Sequence, residues 1–405
     1  MLCCFLQKGL PMIKITLIGD MMCEPLLFSA AKSRKSFDFS PVFANTCGMF
    51  QQADFVIGNL ETPIAGENAG YVNSLFSFNA PKEFAIAAKE AGVGLVSTAN
   101  NHCVDRGFEG LLETVTALDE IGLAHIGTDR SAGHENRTFF KEIDGQTIAV
   151  IAYTYGVNFP LHHRVLSKEQ EEHINLLRPY SDAIYLKTSS KKTLFMRVFN
   201  KAIRSFKQEN QAAIKKALGM TYNTPRKDDA VDYEAVTPYL EMFQQDIRQA
   251  KEKADVILVL PHVGGQFNPE PGIFTELVVQ TAKEAGADAI IASHPHIVQK
   301  AEIQEGVPCF YSIGNFSMSP NSSYLLHEHL PDYGLAVHLY IEDKKIHKTT
   351  FSILKIVEGK KSSLSVWPIE QLSKPNENEI KQVYQAVTGK ELTAPVVRPE
   401  YELRF

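Results

Sequence analysis

The feature that most constrains the fold is a series of short apolar segments that keep ending in polar residues from a narrow set. Lys14-Ile-Thr-Leu-Ile18 runs into Gly19-Asp20, Asp54-Phe-Val-Ile57 into Gly58-Asn59-Leu60-Glu61, and Gly94-Leu-Val-Ser-Thr98 into Ala99-Asn100-Asn101-His102. Further along, Asp255 to Leu260 ends in Pro261-His262, Asp288 to Ala292 in Ser293-His294-Pro295-His296, and Pro308 to Ser312 in Gly314-Asn315. Apolar runs this short, bounded by Gly, Pro and Asn, are strands.

Helical signals lie between them. Ser40-Pro41 supplies an N-cap and a first-turn proline for a helix to about Gln51, and Pro81 opens a helix that Gly92 closes. Leu111, Leu112, Val115, Leu118 and Ile121 recur at helical spacing from about Phe108 to Ile121, the pattern of a core-facing stripe. Further helices are expected near Pro238 to Lys253, Thr275 to Gly286 and Glu377 to Val387, and further strands at Gln146 to Tyr153 and in a hairpin, Leu335 to Ile341 with Ile346 to Val357. Alternating strands and helices define α/β layers, whose ligands gather outside the carboxyl ends of the strands. Asp20, Glu61, Asn101, His102, His262, His294, His296 and Asn315 are thereby expected at one edge.

Composition narrows the partners. With 405 residues, 44 % hydrophobic, the chain is long enough for a sizeable core, and its net charge of -6 gives no overall attraction for nucleic acid, which is not an expected partner. Its longest apolar runs, such as Val256 to Leu260, fall short of the roughly 18 residues of a membrane span, so no integral membrane segment is expected. The opening MLCCFLQKGLPMIKITLIGD lacks a basic residue before its short apolar run, which Lys8 and Pro11 interrupt. The expected location is therefore cytoplasmic, with Met12 an alternative start. The six cysteines form no CxxC pair, which argues against a disulfide framework or a thiolate zinc site. Gly92-x-Gly94 precedes a strand and lacks a third glycine, and there is no GxSxG elbow, so neither a dinucleotide site nor a serine hydrolase is indicated.

A site for two divalent metals needs several N and O ligands, a carboxylate able to bridge, and an open position for water. Asp20, Glu61, Asn101, His262, His294 and His296 fit that mixed set, which suits zinc, iron or manganese better than magnesium or calcium. Taken singly, Gly19-Asp20 and Asn100-Asn101 read as turns, and His262 reads equally as a structural histidine. The inference rests on their joint placement, because independent turns need not all be built from metal-ligating residues.

The segments IGDMM (18 to 22), ADFVIGNLETPI (53 to 64), STANNHCVDRGFEGLLETVTAL (97 to 118), YTYGVN (153 to 158), LPHVGGQFNPEP (260 to 271), SHPHIVQKAE (293 to 302) and YSIGNFSMS (311 to 319) resemble the CapA family. That family is associated with bacterial capsule and poly-γ-glutamate synthesis and is related to the calcineurin-like metallophosphoesterases. The resemblance touches residues of about 14 to 158 and 236 to 320, in the family's order. It implies an α/β fold, a four-layer α-β-β-α sandwich of metallophosphoesterase type, with a helical insertion and a C-terminal hairpin-helix extension. Carried over by motif, Asp20 binds a first metal and Glu61 bridges. Asn101, His262 and His294 hold a second, and His296 returns to the first. The implied role of His102 is general acid or electrostatic stabiliser, with Asp105 orienting it, while Asn100 and Asn315 are expected to face substrate. Two departures stand out: the superfamily's opening Asp-x-His becomes Asp20-x-Met22, and its bridging Asp becomes Glu61.

The implied activity is hydrolysis of a phosphoester or γ-glutamyl amide by metal-activated water, with one or two divalent ions (Mn, Fe or Zn) and an anionic small molecule or polymer as substrate. The alternative is a non-catalytic, metal-containing component of polymer assembly, which Met22 favours and the retained histidines disfavour. The expected organisation is an N-terminal extension at 1–11, a CapA-like domain at 12–345 interrupted by a basic helical insertion at about 160–235, and a C-terminal extension at 346–405. Within the insertion, Leu194, Val198, Ala202 and Phe206 form an apolar stripe beside basic residues from Lys187 to Lys216. It reads as a helix packed on the main domain with a solvated basic face. A lid over the site and a membrane-surface helix are the alternatives.

Overall fold

The computed structural model describes residues 12–34, 36–71, 77–133, 137–158, 166–179, 228–322, 325, 329–359 and 363–404. The basic segment from Lys187 to Lys216 and the extension at 1–11 lie outside the described residues.

The strands run in chain order as β1 (Ile13–Met21), β2 (Phe55–Leu60), β3 (Leu95–Ser97) and β4 (Ala124–Ile126). Then come β5 (Phe139–Ile143), β6 (Gln146–Thr154), β7 (Val256–His262), β8 (Ala289–Ile291), β9 (Ala301–Gln304) and β10 (Val307–Phe310). The last five are β11 (Asn315–Ser317), β12 (Tyr333–Glu342), β13 (Lys345–Glu358), β14 (Leu364–Pro368) and β15 (Tyr401–Glu402). They form two sheets. The first has the order β14-β13-β12-β1-β2-β3-β4, with β11 alongside β1 and β15 alongside β13, and the second has the order β5-β6-β7-β8-β10-β9. β1, β2, β3 and β4 are parallel to one another, as are β6, β7, β8 and β10.

Alternate residues of these strands face different cores. Ile13, Ile15, Leu17, Ile57 and Leu95 of the first sheet pack against Ile148, Val150, Leu258 and Ile291 of the second. On the outer face of the first sheet, Ile18, Val56 and Val96 meet Phe84 and Ala88 of the helix Lys82–Ala91. On the outer face of the second, Ile151, Ile257 and Val259 meet Phe243 and Ile247 of the helix Tyr233–Lys251 and Val278 of the helix Ile273–Ala285. Four layers in the order helix, sheet, sheet, helix result, the sandwich expected of a metallophosphoesterase-type fold. No helix among the described residues is long and apolar enough to cross a membrane.

Local chemistry moved several boundaries. The helix expected from Ser40 to Gln51 divides into Ser40–Phe43 and Cys47–Phe50, because the Thr46 hydroxyl donates to the Phe43 carbonyl at 2.8 Å and ends the first turn. The helix expected near Pro238 begins earlier, at Tyr233, where Asp232 caps it by accepting from the Ala235 amide. In the helix Gly107–Ile121, Leu111 and Val115 pack with Val157, Ile174 and Leu176, whereas Leu118 joins the outer core of the first sheet. β13 pairs with β12 along its length and then with β14 and β15, so the first sheet continues across residue 346 into the C-terminal residues.

Candidate metal centre

The polar residues arrive at one edge because β1, β2, β3, β7 and β8 all run in the direction that delivers their carboxyl ends there. Gly19 allows the approach of β11: a Cβ on it would lie 1.9 Å from the Gly314 carbonyl oxygen, and the Asp20 amide donates to that oxygen at 3.1 Å. Asp20 follows immediately. Its Oδ1 accepts from Asn59 Nδ2 at 2.7 Å, and its Oδ2 lies 3.3 Å from both the His294 amide nitrogen and His296 Nδ1.

The turn after β8 aims two imidazoles inward at the expense of backbone strain: φ is 105° at His294 and 60° at His296, the left-handed region that few non-glycine residues adopt. Two ligand triads follow. Asp20, Glu61 and His296 have donor atoms within 4.8 Å of one another, as do Glu61, His262 and His294, and Glu61 belongs to both. Asn101 adjoins the second triad, with its Oδ1 2.7 Å from His262 Nε2. All six residues expected as ligands therefore meet in one volume, and each is at most 1 % exposed.

Glu61 tests whether cations fit here. Both of its carboxylate oxygens are buried without a hydrogen-bond donor among the described residues, as is the Asn101 amide nitrogen without an acceptor. A buried carboxylate lacking donors, facing three imidazoles at 3.4 to 3.9 Å, is suited to a divalent cation. The N and O donor set fits manganese, iron or zinc.

The charges of these side chains act strongly on one another. Burial, reinforced by the charge of Asp20, holds the Glu61 carboxyl well above the ordinary carboxylate range. Burial pushes Asp20 the same way, but the hydrogen bond and charge of His296, with His262 and Asn59, outweigh it and leave Asp20 below its ordinary value. Burial lowers His262 to about 3, whereas at His296 the Glu61 and Asp20 carboxylates overcome burial and raise it to about 9.

His102 stands at the rim of this cluster, with its Nε2 3.9 Å from Glu61 Oε1. Its Nδ1 pairs with Asp105 Oδ2 at 2.7 Å, and the Phe78 amide donates to the same oxygen at 2.7 Å, which sets the carboxylate against the ring. Asn100 and Asn315, expected to face substrate, are both buried and occupied by the protein. Asn100 donates to the Leu60 carbonyl at 2.8 Å and accepts from the His102 amide at 3.1 Å. Asn315 pairs with His296 Nδ1 at 3.0 Å and donates to the carbonyls of His296 and Pro331 at 2.9 and 3.0 Å. Their amides brace the turns carrying the histidines.

Met22 is fully buried in an apolar cluster with Phe78, Phe267, Ile297, Met318 and Leu325, and the Phe267 ring of that cluster lies 5.8 Å from the ring of His296. Three residues absent from the expected set also shape the centre. Asn59 touches Asp20 and His262, Ser293 Oγ lies 2.9 Å from His262 Nδ1, and the Tyr155 ring lies 4.6 Å from that of His294. Strand alternation places Asn59 on the same side as Glu61, the one sequence signal that points to it.

Residues 14–319 match the family described as bacterial capsule synthesis protein PGA_cap, and the chain belongs to that family. Curated relatives include the capsule biosynthesis protein CapA of Bacillus anthracis, 23 % identical over 333 residues, covering 80 % of this chain and 66 % of the relative. The PGA biosynthesis protein CapA of Bacillus subtilis is 21 % identical over 306 residues, covering 75 % of this chain and 63 % of the relative. The chain thus spans slightly less than two thirds of the length of these relatives. Among solved structures it is similar to a phosphatase from Mycoplasma pneumoniae, with 13 % identity, a TM-score of 0.43, and coverage of 85 % of this chain and 94 % of that one.

Proposed function

We propose that the protein is a metal-dependent hydrolase acting on an anionic substrate, a phosphoester or a γ-glutamyl amide, in capsule or poly-γ-glutamate metabolism. The observation that carries this reading is the pair of ligand triads sharing the buried, donor-less carboxylate of Glu61. Asp20, Glu61 and His296 would hold one divalent ion, and Glu61, His262, His294 and Asn101 the other. Such ions, when bound, acidify water and stabilise negative charge on an attacked phosphoryl or acyl oxygen.

The chain's own residues supply the rest. Asp105 holds His102 through Nδ1, leaving Nε2 directed at the cluster, where a proton on it can be passed to a leaving group. Asn315 and Asn100 keep the histidine-bearing turns in place, so the imidazoles need little reorganisation. The apolar wall of Met22, Phe78, Phe267 and Met318 limits water beside the Asp20 triad. The same Met22 favours a second reading, a metal-containing assembly component without turnover, because it leaves the Asp20 triad with three protein ligands.

Metal analysis of protein purified without chelator tests the proposal. Bound manganese, iron or zinc is expected, with Glu61→Ala and His294→Ala each lowering the content. His102→Ala should keep the metal and lose roughly 10²- to 10⁴-fold in hydrolytic rate. Protein that takes up none of these metals refutes the proposal. Metal-loaded protein that binds γ-glutamyl oligomers yet cleaves neither them nor a phosphoester panel supports the second reading instead.

A further inference from the structure

Asn59 belongs to neither ligand triad, yet its side chain touches both. Nδ2 donates to Asp20 Oδ1 at 2.7 Å and lies 3.2 Å from His262 Nδ1, while Oδ1 accepts from Asn100 Nδ2 at 3.3 Å. One N–H of the amide is spent on Asp20 Oδ1; a cation on His262 Nε2 would leave the proton on Nδ1, so the second N–H only packs against that ring, while the carbonyl holds Asn100, the neighbour of the second-site residue Asn101. Asp20 closes β1 in the first sheet, His262 closes β7 in the second, and Asn100 follows β3. The side chain is 6 % exposed, so water is a poor substitute for these partners.

We infer that Asn59 is the positioning residue that sets the two cation sites in one geometry, so that removing its amide weakens both together. The inference rests on the reading of the centre as a cation site. Its basis is mechanical. Asp20 belongs to one triad and His262 to the other, and Glu61, the ligand common to both, lies two residues beyond Asn59 on the same strand end. Without Asn59, Asp20 loses the donor to its Oδ1, and the turn carrying Asn101 loses the acceptor that holds Asn100 Nδ2. Asp20 and Asn101 would then sample more orientations, and the loss of outer partners of this kind typically weakens metal binding 10- to 100-fold.

Calorimetric titration of the chelator-treated full chain with Mn²⁺, and separately with Zn²⁺, tests this on Asn59→Ala and Asn59→Leu. Leucine keeps the volume without donors, and its methyl groups meet the small apolar cavity between the sheets lined by Leu17, Ile57, Leu260 and Ile291. Both variants are expected to bind at both sites with affinity reduced roughly 10- to 100-fold, while near-ultraviolet circular dichroism of Asn59→Leu matches the wild type. Unchanged affinity, or weakening at one site alone, overturns the inference. Failure of both variants to fold also overturns it, because Asn59 would then serve stability rather than positioning. Wild-type protein that binds neither metal refutes the cation centre itself, whereas normal wild-type binding with unaltered variants refutes only the role of Asn59.

Discussion

Replacing Glu61 with glutamine should make the metal-free protein more stable and nearly abolish its stabilisation by metal. In the metal-free fold, Glu61 is fully buried, neither oxygen has a donor, and the carboxyl faces Asp20. A buried polar group without partners costs about 1–3 kcal/mol, and an amide of the same shape offers N–H groups to Asp20. Glu61→Gln is therefore expected to gain about 1–3 kcal/mol in chelator, a rise of a few degrees in Tm. The gain depends on pH. Burial and the charge of Asp20 raise the folded carboxyl pKa well above its unfolded value of about 4.5, which destabilises the wild type increasingly as pH rises past that value. The part of the advantage that comes from ionisation should be present at pH 7 and vanish below about pH 4, where the carboxyl is protonated in folded and unfolded chains alike.

Metal reverses the order. At free metal one hundred times Kd, binding stabilises the wild type by about 2.7 kcal/mol; if loss of the shared ligand raises Kd 100-fold, the same concentration gives the variant only about 0.4 kcal/mol. Differential scanning calorimetry with chelator and with Mn²⁺, at pH 4 and pH 7, measures both effects. A variant less stable than wild type in chelator at pH 7, or one stabilised by Mn²⁺ as much as wild type, would refute the reasoning.

Two further outcomes test the scaffold around the centre. Gly19→Ala places a Cβ 1.9 Å from the backbone oxygen of Gly314, so it should lower stability by about 3 kcal/mol or more, and a urea midpoint near that of the wild type would contradict the close approach of β1 and β11. Burial raises the Glu400 carboxyl, but hydrogen bonds from Lys14, Thr350 and Tyr340 and the charge of His338 outweigh it and hold the group at about 2. Because that pKa is depressed, the associated stability is present above about 4.5 and lost as pH falls towards 2. Glu400→Gln, altering a partly exposed group screened by solvent, should therefore cost about 1–2 kcal/mol at pH 7 and little at pH 2.5 in urea unfolding. An equal loss at both pH values would exclude the ionic origin.

The fold was legible in the chain where burial is two-sided. β6 and β7 are buried on both faces, so Ile148 to Tyr153 and Val256 to Leu260 read as unbroken apolar runs whatever their partners. β5, half exposed, and β4, three residues long, carry no such run, and their pairing with β6 and β3 supplies the stability that their own residues lack. The C-terminal strands were legible as a hairpin, but not as a continuation of the first sheet, because antiparallel pairing with β1 depends on a partner more than three hundred residues away in the chain.

By itself the sequence determined which chemistry the edge carries: carboxylates, an amide and imidazoles directly after strands, in an order that the α/β rule gathers to one side. Only the tertiary structure decided how those groups divide the work. Glu61 is shared by two triads, one completed by Asp20 of β1 in the first sheet and the other by His262 of β7 in the second. Met22 is turned into an apolar cluster, and Asn100 and Asn315 are consumed in bracing turns, while Asn59 touches ligands 39 and 203 residues away. Spacing along a chain specifies the identity and local direction of a side chain. Which partners satisfy its hydrogen bonds is a property of the register between sheets, and that register exists only in the packed sandwich.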